Sequence, residues 1–250
     1  MGLYDAYDPD RRAILEPTAV RPPIPGFPET AVLTFQPSLL DNVARMEGAQ
    51  RLLSLRFFYQ LPVYRVPYGG KDLAVVQTLM GGAATAALIE EMIALGVRRV
   101  VLFGSCGSLD ATHPDDHLIV PTAAYRDEGV SYHYLPAGDY VAVPTAERTS
   151  AVLTGLGLPH VKARTWTTDA LYRETRRNME ARKAEGCLCV DMECASAAAV
   201  CRYRGAEFYQ FFYTEDNLGG DAWDPRLMGK LPQDAKEAYF KIALELASRI

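Results

Sequence analysis

From residue 31 onward the chain alternates short β-rich runs with longer helical segments, and this alternation constrains the fold more than any other feature. The β-rich runs are AVLTF (31–35), LAVVQT (73–78), VRRVVLF (97–103), HLIVPTAAY (117–125) and AEFYQFFYT (206–214). Residues 83–96 carry apolar residues at three-and-four spacing and end at Gly96, which predicts a helix. Strands that alternate with helices predict an α/β fold with a mostly parallel, covered sheet.

The first thirty residues differ from the rest of the chain. Six prolines lie between residues 9 and 28, and they forbid a continuous helix and favour an extended structure. We therefore expect a proline-rich N-terminal arm over residues 1–30 and a single domain over residues 31–250. The arm needs a surface to lie on, which is either its own domain or a neighbouring subunit.

Composition and charge exclude several classes of protein. Apolar residues make up 49% of the 250 residues and charged residues 23%, which is typical of a folded globular chain. The formal net charge is -5 and no block of lysine and arginine is present, so we expect no nucleic-acid partner. No apolar stretch approaches the ~20 residues needed to cross a bilayer, and no signal-like start is seen. These features predict a cytoplasmic protein without a membrane partner.

Cysteine usage predicts reduced thiols. The five cysteines are an odd number and form no C-x-x-C pair. A metal site built from Cys187, Cys189, Cys194 and Cys201 is conceivable. These residues lie among valine and alanine, however, where a free cysteine usually packs as a small hydrophobic residue. We expect no metal.

Three segments follow predicted strands, at the edge where ligands of such sheets bind. They are MGGAAT (80–85), GSCGSL (104–109) and EDNLGGDAWD (215–224). In the second segment, glycines allow backbone N–H groups to turn toward an anion and Ser105 offers a hydroxyl, although an ordinary turn explains the same residues. The chain has neither G-x-G-x-x-G nor a Walker motif, which argues against a flavin or nicotinamide oxidoreductase.

Carboxylates mark two candidate sites. Glu215 and Asp216 end an apolar run, where a dry pocket can raise the pKa of an acid enough to keep it protonated at neutral pH. A solvated turn is the alternative. In CVDMECASAAAV (189–200), Glu193 could bind two ligand hydroxyls, as in a sugar site. The other possibility is an acid that complements a helix dipole, which suits Asp191.

These motifs, in order from about residue 73 to 218, resemble the nucleoside phosphorylase family. That family includes uridine phosphorylase, the bacterial hexameric purine nucleoside phosphorylases and the methylthioadenosine/adenosylhomocysteine nucleosidases. The matching stretches are MGGAATAALIEEMIALGVRRVVLFGSCGSL, HLIVPTAAYRDEGVSYHYLP, TTDALY, VDMECASAAAV and EDNL. VDMECA is similar to the family's V-E-M-E-A-A, with Asp191 in place of the first glutamate.

The resemblance implies a single α/β domain with a central, mixed, mostly parallel and partly barrel-like sheet flanked by helices. It implies a homo-oligomer in which dimers build trimers or hexamers. The implied reaction is cleavage of the N-glycosidic bond of a purine or pyrimidine nucleoside by inorganic phosphate, giving free base and ribose-1-phosphate without a cofactor. A hydrolytic nucleosidase and a nucleoside-binding protein with little catalysis are the alternatives.

The same resemblance assigns roles to residues. Glu193 would bind the ribose 2′ and 3′ hydroxyls, Met192 would pack on the sugar, and Asp216 would protonate the departing base. Arg226 is a candidate for an arginine that swings in on closure, with a lid salt bridge as the alternative. Three further expectations remain. Substrate should contact Ser105 and Gly107, and phosphate should contact Ser105, Gly81 and Arg56. The wall around the base should be formed by Trp166 and Tyr172.

The departures from the family pattern concern the phosphate site. TFQPSLLDNV (34–43) stands where the phosphorylases carry G-D-P-x-R, and Leu102-Phe103 stands where relatives often have an arginine. Arg56 and Arg65 lie near the position of an arginine that a neighbouring subunit contributes in relatives. The hydrolytic nucleosidases also lack phosphate arginines, but their water-activating glutamate is not evident here. The choice between phosphate and water, and the preferred base, therefore stay open.

Overall fold

The computed structural model describes residues 2–56, 60–115 and 117–250, with the backbone alone at Arg56. Among these residues, ten strands join one sheet: β1 (Thr30–Thr34), β2 (Gln50–Arg56), β3 (Gln60–Tyr68), β4 (Lys71–Gln77), β5 (Arg99–Ser108), β6 (Leu118–Asp127), β7 (Tyr140–Ala142), β8 (His160–Thr168), β9 (Cys187–Asp191) and β10 (Glu207–Asn217). The α-helices are α1 (Pro17–Val20), α2 (Pro37–Val43), α3 (Gly82–Leu95), α4 (Ser131–Tyr134), α5 (Ala146–Gly155), α6 (Arg176–Ala184), α7 (Cys194–Arg204) and α8 (Gln233–Arg249).

The sheet is mixed and part of it closes on itself. Its strand order is β10-β6-β8-β9-β5-β1-β4-β3-β2, with β7 paired to β6, and an additional pairing of β10 with β5 closes a five-stranded ring. The central strand β1 pairs in parallel with both β4 and β5, and β10 is also parallel to β5. The predicted α/β class with a partly barrel-like sheet is confirmed.

Strands β2 and β3 were not among the predicted runs. They pair antiparallel, and β3 pairs antiparallel with β4 across a tight turn at Gly69 and Gly70. Both glycines have positive φ, 57° and 78°, which other residues adopt only with strain. Such a short connection leaves no room for a crossover helix, so the strands it joins must be antiparallel.

Alternation along the central strands divides the core into two layers. In β5, Val100 and Leu102 pack in the layer that contains residues of α3 and α7, whereas Val101 and Phe103 pack in the layer that contains residues of α2 and α8. Successive side chains of a strand point to opposite faces, so a strand covered on both faces is apolar throughout. This explains why VRRVVLF could be recognised from the sequence.

Helices α3 and α7 approach each other closely at the edge of the sheet where the candidate site lies. A Cβ atom on Gly82 would stand 2.3 Å from the hydroxyl oxygen of Ser196, so a larger residue fits there only if Ser196 shifts. Residues 195 and 197–199 of α7 are alanines and are buried. Small side chains on both helices bring their N-termini together, which positions the loops that precede them.

The N-terminal residues lie on the outside of α3 and α7. Arg21 pairs with Glu91 at 2.7 Å, and the N–H of Ile24 donates to the carbonyl of Leu95. Arg204 of α7 pairs with Glu90 at 2.7 Å and lies 4.0 Å from Glu16. The N-terminal segment therefore contacts its own chain through ion pairs and several backbone hydrogen bonds, which include those from Arg98 and Arg99 to the carbonyl of Glu29.

Two further observations concern metal and membrane. All five cysteines are buried free thiols, and the described part of the chain contains no group of three or more His, Cys, Asp or Glu side chains that could hold a metal ion. No helix within the described ranges is long and apolar enough to span a bilayer.

Candidate active site

A cavity of about 190 Å³ opens where several strands end, and it contains five of the residues expected from the sequence. We call it the inner cavity and define it by Ser105, Gly107, Met192, Glu193, Glu215 and Asp216. Phe35 after β1 and Met80 after β4 also line it. The resemblance pointed to Ser105, Gly107, Met192, Glu193 and Asp216, and the fold brings all five together. Glu193 and Asp216 are 23 residues apart in sequence and lie on different elements, so only the tertiary structure could unite them.

Asp191 has a structural role at the start of α7. Its carboxylate accepts hydrogen bonds from the hydroxyls of Thr165 and Thr167 at 2.9 and 2.8 Å. It also accepts the backbone N–H groups of Glu193 and Cys194 at 2.8 and 2.6 Å. Burial raises the pKa of Asp191, and these four hydrogen bonds oppose the rise. The helix-terminus interpretation therefore describes Asp191 well, although the residue also reaches the cavity wall.

Glu193 follows directly and presents its carboxylate to the cavity. The side chain is buried, and one carboxylate oxygen accepts the backbone N–H of Gly81 at 2.7 Å. Burial and the negative charge of Asp191 raise the pKa of Glu193 to about 8. A polar ligand that donates hydroxyl groups would stabilise the ionised form, which is what a ribose diol can do.

Gly81 lies directly before α3. We expected Gly81 on phosphate; in the structure its N–H donates to Glu193, and Gly81 does not line the inner cavity. Its φ of 103° lies in the region that favours glycine. The backbone conformation turns the N–H toward the start of α7, and contact of Gly81 with phosphate stays a prediction.

Ser105 and Glu215 face each other on neighbouring strands of the cavity wall. Burial raises the pKa of Glu215, and hydrogen bonding from the backbone N–H of Gly229 and from Ser105 opposes the rise. The hydroxyl hydrogen of Ser105 is thus available to a ligand only in competition with Glu215. The predicted serine therefore lies in the cavity with a carboxylate beside it.

Asp216 sits at the boundary between the inner cavity and a second one. Burial raises its pKa, while the indole N–H of Trp223 and the charge of Arg226 oppose the rise. The Trp223 Nε1 to Asp216 Oδ2 distance is 2.8 Å. A half-buried carboxylic acid with a raised pKa at a cavity mouth suits proton donation to a leaving group.

The second cavity, of about 460 Å³, adjoins the first and is called the outer cavity. The two share Leu171, Glu174, Asp216 and Met228, and the outer cavity continues to Tyr172 and Trp223. Tyr172 was expected near the base, and the residue is 95% exposed at this opening. A flat apolar and aromatic surface beside an acid is suited to an aromatic ring.

Glu174 is a residue that the sequence analysis did not select. Burial, followed by the negative charge of Asp216, raises its pKa to about 7. It lies in the polar stretch LYRETRRN, where nothing in the local pattern distinguishes it from an exposed charge. Its position between two cavities depends on the turn after β8. No local sequence signal could have identified it.

The charged side chains that line the inner cavity are all acidic. Its lining includes the carboxylates of Glu174, Asp191, Glu193, Glu215 and Asp216, and among the described lining residues there is no lysine, arginine or histidine. The side chain of Arg56, expected on phosphate, lies outside the described part of the structure. An anion entering this cavity would therefore meet carboxylates first.

Trp166 was expected in the wall around the base, and this prediction is wrong. Trp166 is 1% exposed and packs in a core cluster with Met179 and Val190. Its indole N–H donates to Asp127 at 2.9 Å. Val190, which is paired with Trp166 on the neighbouring strand β9, lines the inner cavity, whereas Trp166 does not.

Arg226 is held by acids outside the cavities. It forms an ion pair with Asp115 and lies 3.6 Å from Asp224. It lines neither cavity, although its charge reaches Asp216. This geometry corresponds to the lid salt bridge rather than to a residue in contact with a ligand.

Comparison with known proteins gives consistent matches. A family model described as the phosphorylase superfamily matches residues 31–248. A guanosine phosphorylase of Halorubrum lacusprofundi is 26% identical over 219 residues, covering 84% of this chain and 87% of that protein. A uridine phosphorylase of Escherichia coli is 26% identical over 193 residues, covering 70% and 75%.

Among solved structures, a purine nucleoside phosphorylase from Toxoplasma gondii in complex with immucillin-H aligns with a TM-score of 0.74. The two chains are 23% identical, and the alignment covers 88% of this chain and 90% of the other. At this identity the likeness concerns the fold. The expected nucleoside phosphorylase-like fold is confirmed.

Proposed function

This chain belongs to the phosphorylase superfamily, and we propose that it cleaves the N-glycosidic bond of a purine nucleoside with phosphate, releasing free base and ribose-1-phosphate. The observation that carries the proposal is that Glu193 and Asp216 line one cavity. Inorganic phosphate is the co-substrate in this proposal, and no cofactor takes part.

The chemistry of the bond explains why two acids are needed. Breaking an N-glycosidic bond builds positive charge on the sugar ring and negative charge on the base. In our proposal the ionised Glu193 binds the ribose hydroxyls and stabilises the electron-poor ring, with Met192 packed on the sugar. Asp216, in its protonated form, transfers a proton to the base as it leaves.

Glu174 supports a base of the guanine type. An ionised carboxylate accepts two hydrogen bonds side by side, and guanine presents two adjacent N–H donors on one edge. Uracil presents one donor flanked by carbonyl oxygens, which a carboxylate repels. A relative is named a guanosine phosphorylase and another a uridine phosphorylase. The position of Glu174 favours the first substrate for this chain.

Water is a second candidate acceptor, and it is favoured because all the charged residues among the described lining of the inner cavity are acids. A neutral water molecule is not repelled by the carboxylate of Glu215, whereas a phosphate anion is repelled and needs a cation nearby. In the phosphorolytic proposal that cation comes from the side chain of Arg56 or from a neighbouring subunit in a homo-oligomer, a dimer or an assembly of dimers.

One experiment separates the two acceptors. Purified protein is incubated with guanosine, inosine, adenosine and uridine, with and without inorganic phosphate, and free base and ribose-1-phosphate are quantified. We expect guanine release that depends on phosphate, with one ribose-1-phosphate formed for each base. Equal rates without phosphate would establish hydrolysis. Saturable binding without turnover of any nucleoside would instead identify a binding protein.

A further inference from the structure

Trp223 lies in a short hairpin that continues β10 beyond the catalytic acid. Asn217 and Asp224 exchange two backbone hydrogen bonds of 2.9 Å, which closes the hairpin. Trp223 immediately precedes Asp224, so its side chain is carried at the closing end. From there the indole ring reaches back to Asp216, one residue before the hairpin begins.

Three contacts anchor this hairpin to the rest of the domain. The N–H of Leu218 donates to the carbonyl of Ser108 at 2.8 Å, and the guanidinium of Arg176 donates to the carbonyl of Asp221 at 2.9 Å. Gly219 packs so tightly that a Cβ atom would stand 2.4 Å from the carbonyl oxygen of Leu109. The hairpin is therefore bound to the end of β5 and to α6, and Trp223 is positioned by the fold.

The contact with Asp216 makes the two carboxyl oxygens inequivalent. Oδ2 accepts the indole N–H of Trp223 at 2.8 Å. Oδ1 lies on the side of Gly107, where a Cβ atom would approach it to 3.0 Å, and Gly107 lines the inner cavity. An indole nitrogen can only donate, so Oδ2 must act as an acceptor. When the group is protonated, the hydrogen is then carried by Oδ1.

We propose that Trp223 is a positioning residue for the general acid: its indole N–H holds Oδ2 of Asp216, so that the proton for the departing base is carried on Oδ1, facing the cavity. The inference rests on the role proposed for Asp216. It adds a residue that neither touches the bond being broken nor belongs to the sequence motifs of the resemblance. Trp223 is 58% exposed, so burial of its ring is not its main contribution.

The same hydrogen bond has a second, measurable effect. A donor to a carboxylate stabilises the ionised form, and Trp223 therefore lowers the pKa of Asp216 against the effect of burial. A general acid must be protonated, so turnover falls as pH rises through its pKa. Removing the N–H raises that pKa, and the alkaline limb of the kcat profile moves to higher pH. Replacing Trp223 leaves in place the ionisable groups that act on Asp216 or are influenced by it, which include Glu174, Glu215, Asp224 and Arg226.

The test compares Trp223→Phe with Trp166→Phe, since each removes one of the two indole N–H groups of the chain. Dependence of kcat on pH is measured with the nucleoside that turns over fastest. For Trp223→Phe we expect the plateau value of kcat to fall about tenfold and the alkaline limb to shift up by about one pH unit. KM should be almost unchanged, because the phenyl ring still forms part of the wall of the outer cavity. Trp166→Phe lowers the melting temperature but leaves the limb in place.

A second substrate separates proton delivery from general damage. The leaving group of para-nitrophenyl riboside departs as an anion without needing a proton, so Trp223→Phe should cleave it within about twofold of the unaltered protein. Equal losses on both substrates, or an alkaline limb that does not move, overturn the positioning role. Asp216→Asn tests the underlying function separately, because full turnover in that variant rejects Asp216 as the acid whatever Trp223 does.

Discussion

The carboxylate of Glu193 accepts a hydrogen bond from the backbone N–H of Gly81, with 2.7 Å between nitrogen and oxygen. The loop before α3 thereby holds the residue that precedes α7. The close packing of Gly82 on Ser196 brings these two loops within reach. The fold thus orients one oxygen of the carboxylate, and the remaining acceptor sites of the carboxylate can take hydrogen bonds from a ligand in the cavity.

Glu193→Ala should weaken ribonucleoside turnover through lost contacts with the sugar. We expect kcat/KM to fall by about a hundredfold with the preferred ribonucleoside, and by much less with its 2′-deoxy analogue, which already lacks one of the two hydroxyls. The measurement is kcat/KM of the unaltered protein and of Glu193→Ala, each with the ribonucleoside and with its 2′-deoxy analogue. Equal fold-losses on both substrates would mean that Glu193 does not bind the 2′ hydroxyl.

Glu193 also predicts a pH dependence of stability. Its folded pKa of about 8 exceeds the ordinary value of 4.5, so the folded state binds the proton more tightly than the unfolded state. Stability of the ligand-free protein should therefore decline as pH rises from about 5 to 8, because a buried group becomes charged. Thermal melts of the unaltered protein and of Glu193→Gln across this range measure the effect. The decline should be smaller in Glu193→Gln, and identical pH dependence would contradict the assignment.

Asp216→Asn should remove the proton donor while keeping the size of the side chain. We expect kcat to fall by a factor of about 10² to 10⁴, with a much smaller change in KM. Asp224→Asn is the matched control, since Asp224 is an exposed acid of the same hairpin that pairs with Arg226. It should retain turnover within about threefold. A normal rate in Asp216→Asn would rule out proton donation by this residue.

Glu174→Gln should change the preference among bases. Glutamine offers one acceptor and one donor in place of two acceptors, so guanosine loses a hydrogen bond and adenosine can gain one. We expect the ratio of kcat/KM for guanosine over adenosine to fall by about ten- to a hundredfold. Glu180→Gln, an exposed position on α6, serves as the control. An unchanged ratio in Glu174→Gln would show that Glu174 does not contact the base.

Gly107→Ala tests the space beside the acid. The added methyl group would stand 2.6 Å from Leu218 and 3.0 Å from Oδ1 of Asp216. One of these groups must move, and we expect kcat to fall by about tenfold or more because the acid is displaced. Gly155→Ala is a control, because nothing lies within 4 Å of a Cβ atom there. Wild-type kcat in Gly107→Ala would mean that the position of Oδ1 is not critical.

Several features were predictable because their signal is local. The helix expected at residues 83–96 is observed at Gly82–Leu95, since apolar spacing and a terminal glycine are properties of a continuous stretch. The strand VRRVVLF was recognisable because both of its faces are buried. By contrast, β8 carries exposed charged residues in its first half, such as Lys162 and Arg164, and its sequence gave no clear apolar run.

The sequence by itself determined the fold class and the central strands, because these depend on periodicity along continuous stretches. Through the resemblance carried by short motifs such as VDMECA and EDNL, it also pointed to Glu193 and Asp216 as the two acids of the proposed site. Tertiary structure alone decided which side chains meet. It buried Trp166 beside Val190 and brought the indole N–H of Trp223 to Asp216. It also turned the N–H of Gly81 toward Glu193 and placed Glu174 in the lining of both cavities. The physical reason is that hydrogen bonding and pKa depend on distances across different strands and loops. Those distances follow from strand order and helix packing, which no local pattern encodes.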